Sequence, residues 1–133
     1  MHLSRPKNQG QALVETALIV TVLIVLLMGM FDAAMAINVR MALRSAVAEA
    51  GYVATQNPAN DTDIRNRVRT ELNRLQPPVT DAMITIARSQ CNTNTPQARI
   101  EIRYPFQPLF FNIGPLGNLT LNSETTVPLI GGC

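Results

Sequence analysis

The chain has 133 residues, which is enough for one small domain and a membrane segment but not for two full domains. Apolar residues make up 47% and charged residues only 15%, a low charged fraction for a soluble protein of this size. The net charge of +2 comes from Arg5 and Lys7, and no basic cluster with interleaved aromatics is present, so nucleic-acid binding is not expected.

A long apolar segment follows the basic N-terminus. Residues 16–31 carry no charge, and the mostly apolar stretch covers about 12–37. A helix needs about 20 residues to cross a hydrocarbon core of roughly 30 Å. Glu15 and Asp32 bound the uncharged part and lie about 25 Å apart at the helical rise of about 1.5 Å per residue. We therefore predict a single transmembrane helix.

Three interpretations of this segment compete. It is a secretory signal cleaved after Ala34-Met35-Ala36, an uncleaved anchor, or a prepilin segment cut between Gly10 and Gln11. A cleavable signal fits less well, because the uncharged run slightly exceeds a usual signal core and Asp32 lies just before the cut. In the prepilin interpretation the cut is cytoplasmic, and the apolar helix stays in the mature protein.

Glu15 favours the prepilin interpretation. A basic leader of residues 1–10 ends in Gly10, and Glu15 is then close to the new N-terminus. This arrangement resembles the leader of type IV pilin-like proteins, in which a prepilin peptidase cuts after glycine. A carboxylate near the membrane is costly unless it is paired, and the resemblance implies pairing with the freed α-amine of Gln11, on its own or a neighbouring chain. The alternative is a first-turn acid that the helix dipole favours.

An ordered set of residues over about the first 55 positions makes the resemblance more specific. The set consists of Gly10, Ala12, Val14, Glu15, Ala17, Leu18, Gly29, Asp32, Ala46, Glu49, Ala50, Gly51, Tyr52 and Ala54. It is similar to the TadE/TadG-like family of the tight-adherence (Flp-type) pilus system. In that family a G-x-A-x-V-E-x-A-L start leads through an apolar helix to a glycine and an aspartate, and then to an alanine-rich helix. Two positions depart from the pattern: Thr16 replaces a frequent aromatic, and Ala34 a frequent glycine.

Helical periodicity continues beyond the membrane segment. Apolar residues recur every three or four positions from Val39 to Val53, so we predict one helix over 11–55 and a linker over 56–60, where Pro58 disfavours helix. A second helix is expected from Asp61 to Leu75. Its apolar face opposes an arginine-rich face, for which plain solvation is favoured over partner binding.

The period changes to two in the C-terminal part. Residues 83–88, 98–104 and 119–127 alternate as half-buried strands. The predicted fold class is α+β, with a long N-terminal transmembrane helix that continues into an amphipathic helix. A small head domain over 61–133 follows, in which one helix packs on a three-stranded antiparallel sheet. Leu109-Phe110-Phe111 is expected to fill the core, with a partner-binding patch as the alternative.

Cysteine and histidine usage limits the chemistry. In an exported chain Cys91 and Cys133 are expected to form a disulfide, whereas in a reducing compartment both would be free thiols. Two cysteines without nearby histidine cannot make a four-coordinate zinc site. The single histidine, His2, lies in the predicted leader. We expect no catalytic, cofactor or metal site, no small-molecule substrate and no enzymatic function.

The resemblance implies a minor pilin or pseudopilin-like subunit. Such a subunit would assemble into, or prime, a tight-adherence type IV pilus through its apolar helix, with Glu15 setting the axial register. Its expected partners are a prepilin peptidase and other pilus subunits. We expect a single-pass protein of the inner membrane with an extracytoplasmic C-terminal domain, which on assembly would become part of an extracellular pilus. The alternative is a secreted or membrane-tethered binding module that never joins a filament.

Overall fold

The structure is a computed structural model, and it describes residues 9–110 and 119–130. Two helices, one short 3-10 helix and three strands follow in chain order: α1 (Gln9–Gln56), α2 (Asp61–Glu71), the 3-10 helix (Asp81–Met83), β1 (Ile84–Ser89), β2 (Gln97–Phe106) and β3 (Leu119–Pro128). The strands form one antiparallel sheet in the order β1-β2-β3. The predicted α+β fold class with a long apolar N-terminal helix is confirmed.

Helix α1 is continuous over 48 residues, which is about 72 Å at the usual rise of about 1.5 Å per residue. The hydroxyls of Thr16 and Thr21 each donate to the carbonyl oxygen four residues earlier, both at 2.8 Å. These bonds satisfy the only hydroxyls between residues 10 and 40 within the helix itself, as an apolar environment requires. The helix ends just before Pro58, and the amide of Asn57 closes its last turn on the carbonyl of Val53 at 2.9 Å.

Helix α2 is shorter than the sequence predicts. Its first turn is capped by Asn60, whose side-chain oxygen accepts a hydrogen bond from the amide of Asp63 at 3.2 Å. The helix ends at Glu71, although the pattern predicted helix to Leu75. Leu72 follows the last helical residue but still belongs to the core, where it is only 2% exposed. The apolar period in the sequence therefore extends beyond the end of the helix.

The central strand β2 shows the alternation that the sequence predicted. Ile100 pairs with Ile86 of β1 on one side and with Thr125 of β3 on the other. Every second side chain of β2 faces the core and is buried: Ala98, Ile100, Ile102, Tyr104 and Phe106. One face of the sheet therefore has to be covered by helix.

The C-terminal part of α1 covers that face. Its core side chains are at most 1% exposed: Leu43, Ala46, Val47, Ala50 and Ala54. This part of α1 packs on β3 and β2, and α2 packs mainly on α1. The sequence predicted that the second helix would cover the sheet. Small alanine side chains let α1 approach more closely than a leucine-rich helix would, so α1 takes the central place.

Two arginines of α2 bind to other elements of the fold. One guanidinium nitrogen of Arg65 donates to the backbone carbonyls of Asp81 and Ile84, both at 2.9 Å, which ties α2 to the start of β1. Arg67 pairs with Glu49 of α1 at 3.1 Å. Both members of that pair are partly exposed, so its contribution to stability is small. The arginine-rich face thus holds α2 in place as well as facing solvent.

Tyr104 is a fully buried side chain at 1% exposure, and its hydroxyl donates to the carbonyl oxygen of Pro77 at 3.0 Å. Burial raises the pKa of Tyr104 above its ordinary value, because the phenolate would lose its hydration. The stability that this group contributes is therefore fully present below the unfolded pKa of about 10 and is lost as pH rises through the folded pKa.

We expect the free energy of unfolding of the full chain in detergent to fall above about pH 10, with a much weaker fall in Tyr104→Phe. Loss of the hydrogen bond to Pro77 should also cost about 1 kcal/mol at neutral pH. Urea unfolding at a series of pH values measures both effects. Tyr52→Phe is the matched control, because Tyr52 is 62% exposed. An undiminished alkaline loss in Tyr104→Phe would contradict the assignment.

Candidate functional site

The N-terminal half of α1 presents a continuous apolar surface, which we call the apolar surface (Leu13–Phe31). Its large apolar side chains are 45–72% exposed: Leu13, Val14, Leu18, Ile19, Val20, Val22, Leu23, Ile24, Val25, Leu26, Leu27, Met30 and Phe31. The most apolar window of the helix is buried by no described part of the head. By length and composition α1 is able to cross a membrane, which suggests membrane anchoring with a C-terminal domain outside the bilayer.

Gly10, Gln11 and Glu15 lie at the N-terminal end of this surface, within the first two turns of α1. All three are exposed, and Glu15 has no hydrogen-bond or ion-pair partner among the described residues. A Cβ added to Gly10 would meet nothing within 4 Å, so packing in the described fold does not require glycine there. Gln11 and Glu15 are four residues apart and share one helix face. The remainder of the predicted leader, residues 1–8, lies outside the described residues.

Asp32 closes the other end of the apolar surface. It is 7% exposed, and its carboxylate accepts hydrogen bonds from two backbone amides of the loop after β2. The amide of Leu109 lies 2.9 Å from one oxygen, and the amide of Phe110 lies 3.3 and 3.1 Å from the two oxygens. Sequence reasoning placed Asp32 at the membrane boundary but missed this loop. A carboxylate next to an uncharged span is rarely left unpaired, so the position of Asp32 in the sequence did indicate that some donor binds it.

Phe110 lies against α1. Its ring meets that of Phe31 edge to face, with centroids 5.8 Å apart and planes at 77°. The two rings and the side chains of Ile24, Leu27 and Met28 line a shallow apolar groove. The prediction of core filling is wrong for Leu109 and Phe110, which are 64% and 42% exposed, and Phe111 lies outside the described residues.

The predicted disulfide remains a prediction, because Cys133 lies outside the described residues. Cys91 is in the loop between β1 and β2. The amide of Leu129 donates to the carbonyl of Pro96 at 2.9 Å, which brings the residue just after β3 to that same loop. Within 9–110 and 119–130, no group of three acidic, histidine or cysteine side chains is placed to hold a metal ion.

Comparison with known families bears on the N-terminal half. Residues 10–51 match the family model described as TadE-like protein. The match begins at the glycine of the predicted cleavage site and ends at Gly51, so it includes Glu15 and Asp32. Nothing among curated proteins or solved structures matches the chain. The resemblance to the TadE/TadG-like family is thus confirmed over residues 10–51, which suggests involvement in the tight-adherence pilus system.

Proposed function

We propose that the protein is a minor pilin-like subunit that assembles into, or primes, a tight-adherence type IV pilus through its apolar helix. The observation that carries this proposal is the apolar surface (Leu13–Phe31), whose large side chains stay exposed although Phe110 lies against Phe31 at the end nearer the head. In the membrane, lipid covers this surface. On assembly, the helices of neighbouring subunits replace the lipid.

A polar pair has to set the register of that assembly. Moving an apolar helix from lipid to other apolar helices gives little hydrophobic gain, since lipid tails are as apolar as the side chains. The free energy that selects one axial position must then come from packing and from polar contacts. Glu15 is the one carboxylate within residues 10–31. Its pairing with the α-amine of Gln11 on a neighbouring chain would fix the offset between two helices.

Cleavage after Gly10 supplies that amine. Gln11 and Glu15 are four residues apart, so the new α-amine lies about 6 Å along the helix axis from the residue that carries the carboxylate. A prepilin peptidase on the cytoplasmic side would perform the cut. The head would then lie on the extracytoplasmic side, and the other partners would be pilus subunits.

The N-terminal sequence of the protein purified from membranes and from sheared filaments tests this proposal. We expect Gln11 as the first residue in both fractions. A start at Ile37 would support a secreted domain, and a start at Met1 a plain membrane anchor. Gly10→Leu should leave the leader attached because the peptidase requires glycine. Ala17→Leu introduces the same side chain at an exposed position two turns later and should leave the Gln11 start unchanged.

A further inference from the structure

We propose that residues 107–110, the described part of the loop after β2, form a second membrane anchor, in which Leu109 and Phe110 insert among the lipid acyl chains beside α1 and Asp32 holds them there. The inference rests on α1 as a membrane span and not on assembly into a pilus. Its occupant is the acyl region of the leaflet nearer the head.

The side chain of Phe110 points along the apolar part of α1. The backbone of the loop lies at the level of Asp32, since its amides reach that carboxylate at 2.9–3.3 Å. The ring, however, lines a groove with Ile24 and Leu27. These two residues lie about 12 Å and 7.5 Å further into the apolar span than Asp32, at a rise of about 1.5 Å per residue. Phe110 therefore points toward the middle of the bilayer and away from the head.

The hydrogen bonds to Asp32 make such insertion feasible. Backbone amides that enter an apolar region without partners are strongly unfavourable. A carboxylate at the same depth is unfavourable for the same reason. Here the amides of Leu109 and Phe110 and the carboxylate of Asp32 satisfy one another, and the carboxylate is 7% exposed. At these two positions the side chains of Leu109 and Phe110, which are apolar, remain exposed.

Lipid is the occupant that fits this surface. The groove is lined by apolar side chains alone, and it is continuous with the apolar surface (Leu13–Phe31). Leu109 is 64% exposed and lies next to Asp32, at the end of the apolar surface (Leu13–Phe31). Two attachments, α1 and the loop, then hold the head at the membrane surface.

Single tryptophans test the depth of the loop, because the chain contains none. We would reconstitute full-length Leu23→Trp, Phe110→Trp and Tyr52→Trp at high lipid excess in phosphatidylcholine–phosphatidylglycerol vesicles. Part of the phosphatidylcholine carries bromine on its acyl chains. Leu23 marks the span, and Tyr52, which is 62% exposed, lies about 30 Å beyond Asp32 along α1. We expect strong quenching by bromine at positions 23 and 110, several-fold more than at position 52.

Adding Asp32→Ala to Phe110→Trp should reduce quenching at position 110 toward that of position 52, whereas Asp32→Asn, which keeps an acceptor oxygen, should retain most of it. Quenching at position 110 by aqueous acrylamide instead of brominated lipid would overturn the proposal. Protection from both quenchers would also overturn it, because protein would then cover the loop. An unquenched position 23 would refute the membrane span and this inference together. Quenching at position 23 without quenching at 110 would refute the inference alone.

Discussion

Replacing Gly51 with leucine is expected to destabilise the head strongly, because it forces α1 away from the sheet. A Cβ built on Gly51 lies 2.9 Å from Cγ1 of Val127 and 3.2 Å from Cγ2 of Thr125, both on β3. Both neighbours are β-branched and rotate little, so they cannot move aside at low cost. Overpacking costs about 1–3 kcal/mol for a few extra methylenes, and a better helix propensity returns about 1 kcal/mol at most.

For leucine we expect a net loss of about 2 kcal/mol, a large part of the stability of a small domain. Urea unfolding of the full chain in detergent, followed by the near-ultraviolet circular dichroism of tyrosine, measures this loss. Gly51→Ala should fall between the wild type and Gly51→Leu.

Ala48→Leu is the matched control for Gly51→Leu. It enlarges an exposed residue of the same helix, and it should leave the unfolding midpoint nearly unchanged. Equal midpoints for Gly51→Leu and Ala48→Leu would show that α1 does not approach β3 as closely as the structure indicates.

Replacing Glu15 with alanine is expected to prevent incorporation into filaments while cleavage and membrane insertion continue. The carboxylate is exposed and makes no contact in the described part of the chain, so the fold loses nothing with it. Its proposed partner, the α-amine of Gln11, exists only after cleavage. Both groups lie near the membrane, where an unpaired charge is costly. Loss of the pair should lower the filament-to-membrane ratio by about tenfold or more, which corresponds to about 1.4 kcal/mol.

Quantitative immunoblots of sheared filaments and membranes measure that ratio, and N-terminal sequencing of the membrane fraction verifies the cut. Glu15→Gln tests the charge, since glutamine keeps the hydrogen-bonding capacity without it. Glu71→Ala removes a partly exposed carboxylate that pairs with Arg67 in the head, and it should assemble normally. Normal filament levels of Glu15→Ala would refute the assembly role.

The local elements of this protein were predictable from sequence. The uncharged run and the alanine-rich stretch predicted one long helix, and α1 is that helix. Alternation at Ile100, Ile102 and Tyr104 predicted the central strand, and all three are buried. Boundaries were less accurate, as at α2, where the apolar period continues past the last helical turn to Leu72.

Part of the candidate site was predictable as well. Gly10 and Glu15 were recognisable because a glycine and a carboxylate are unusual at the N-terminal end of an apolar helix. The structure places them in the first two turns of α1, while their roles in processing and register remain proposals. The loop at Leu109 and Phe110 was not found, because apolar residues next to prolines fit a buried core equally well.

By itself, then, the sequence determined which segments are helix or strand and which helix is a candidate membrane span, since those follow from local periodicity and composition. Only the tertiary structure decided that α1 and not α2 is the main cover of the sheet. It alone showed why position 51 is glycine, through Val127, and where the carboxylate of Asp32 finds its donors. These contacts join residues more than 70 positions apart. Local sequence periodicity does not predict them, because they depend on how closely two elements of secondary structure pack together.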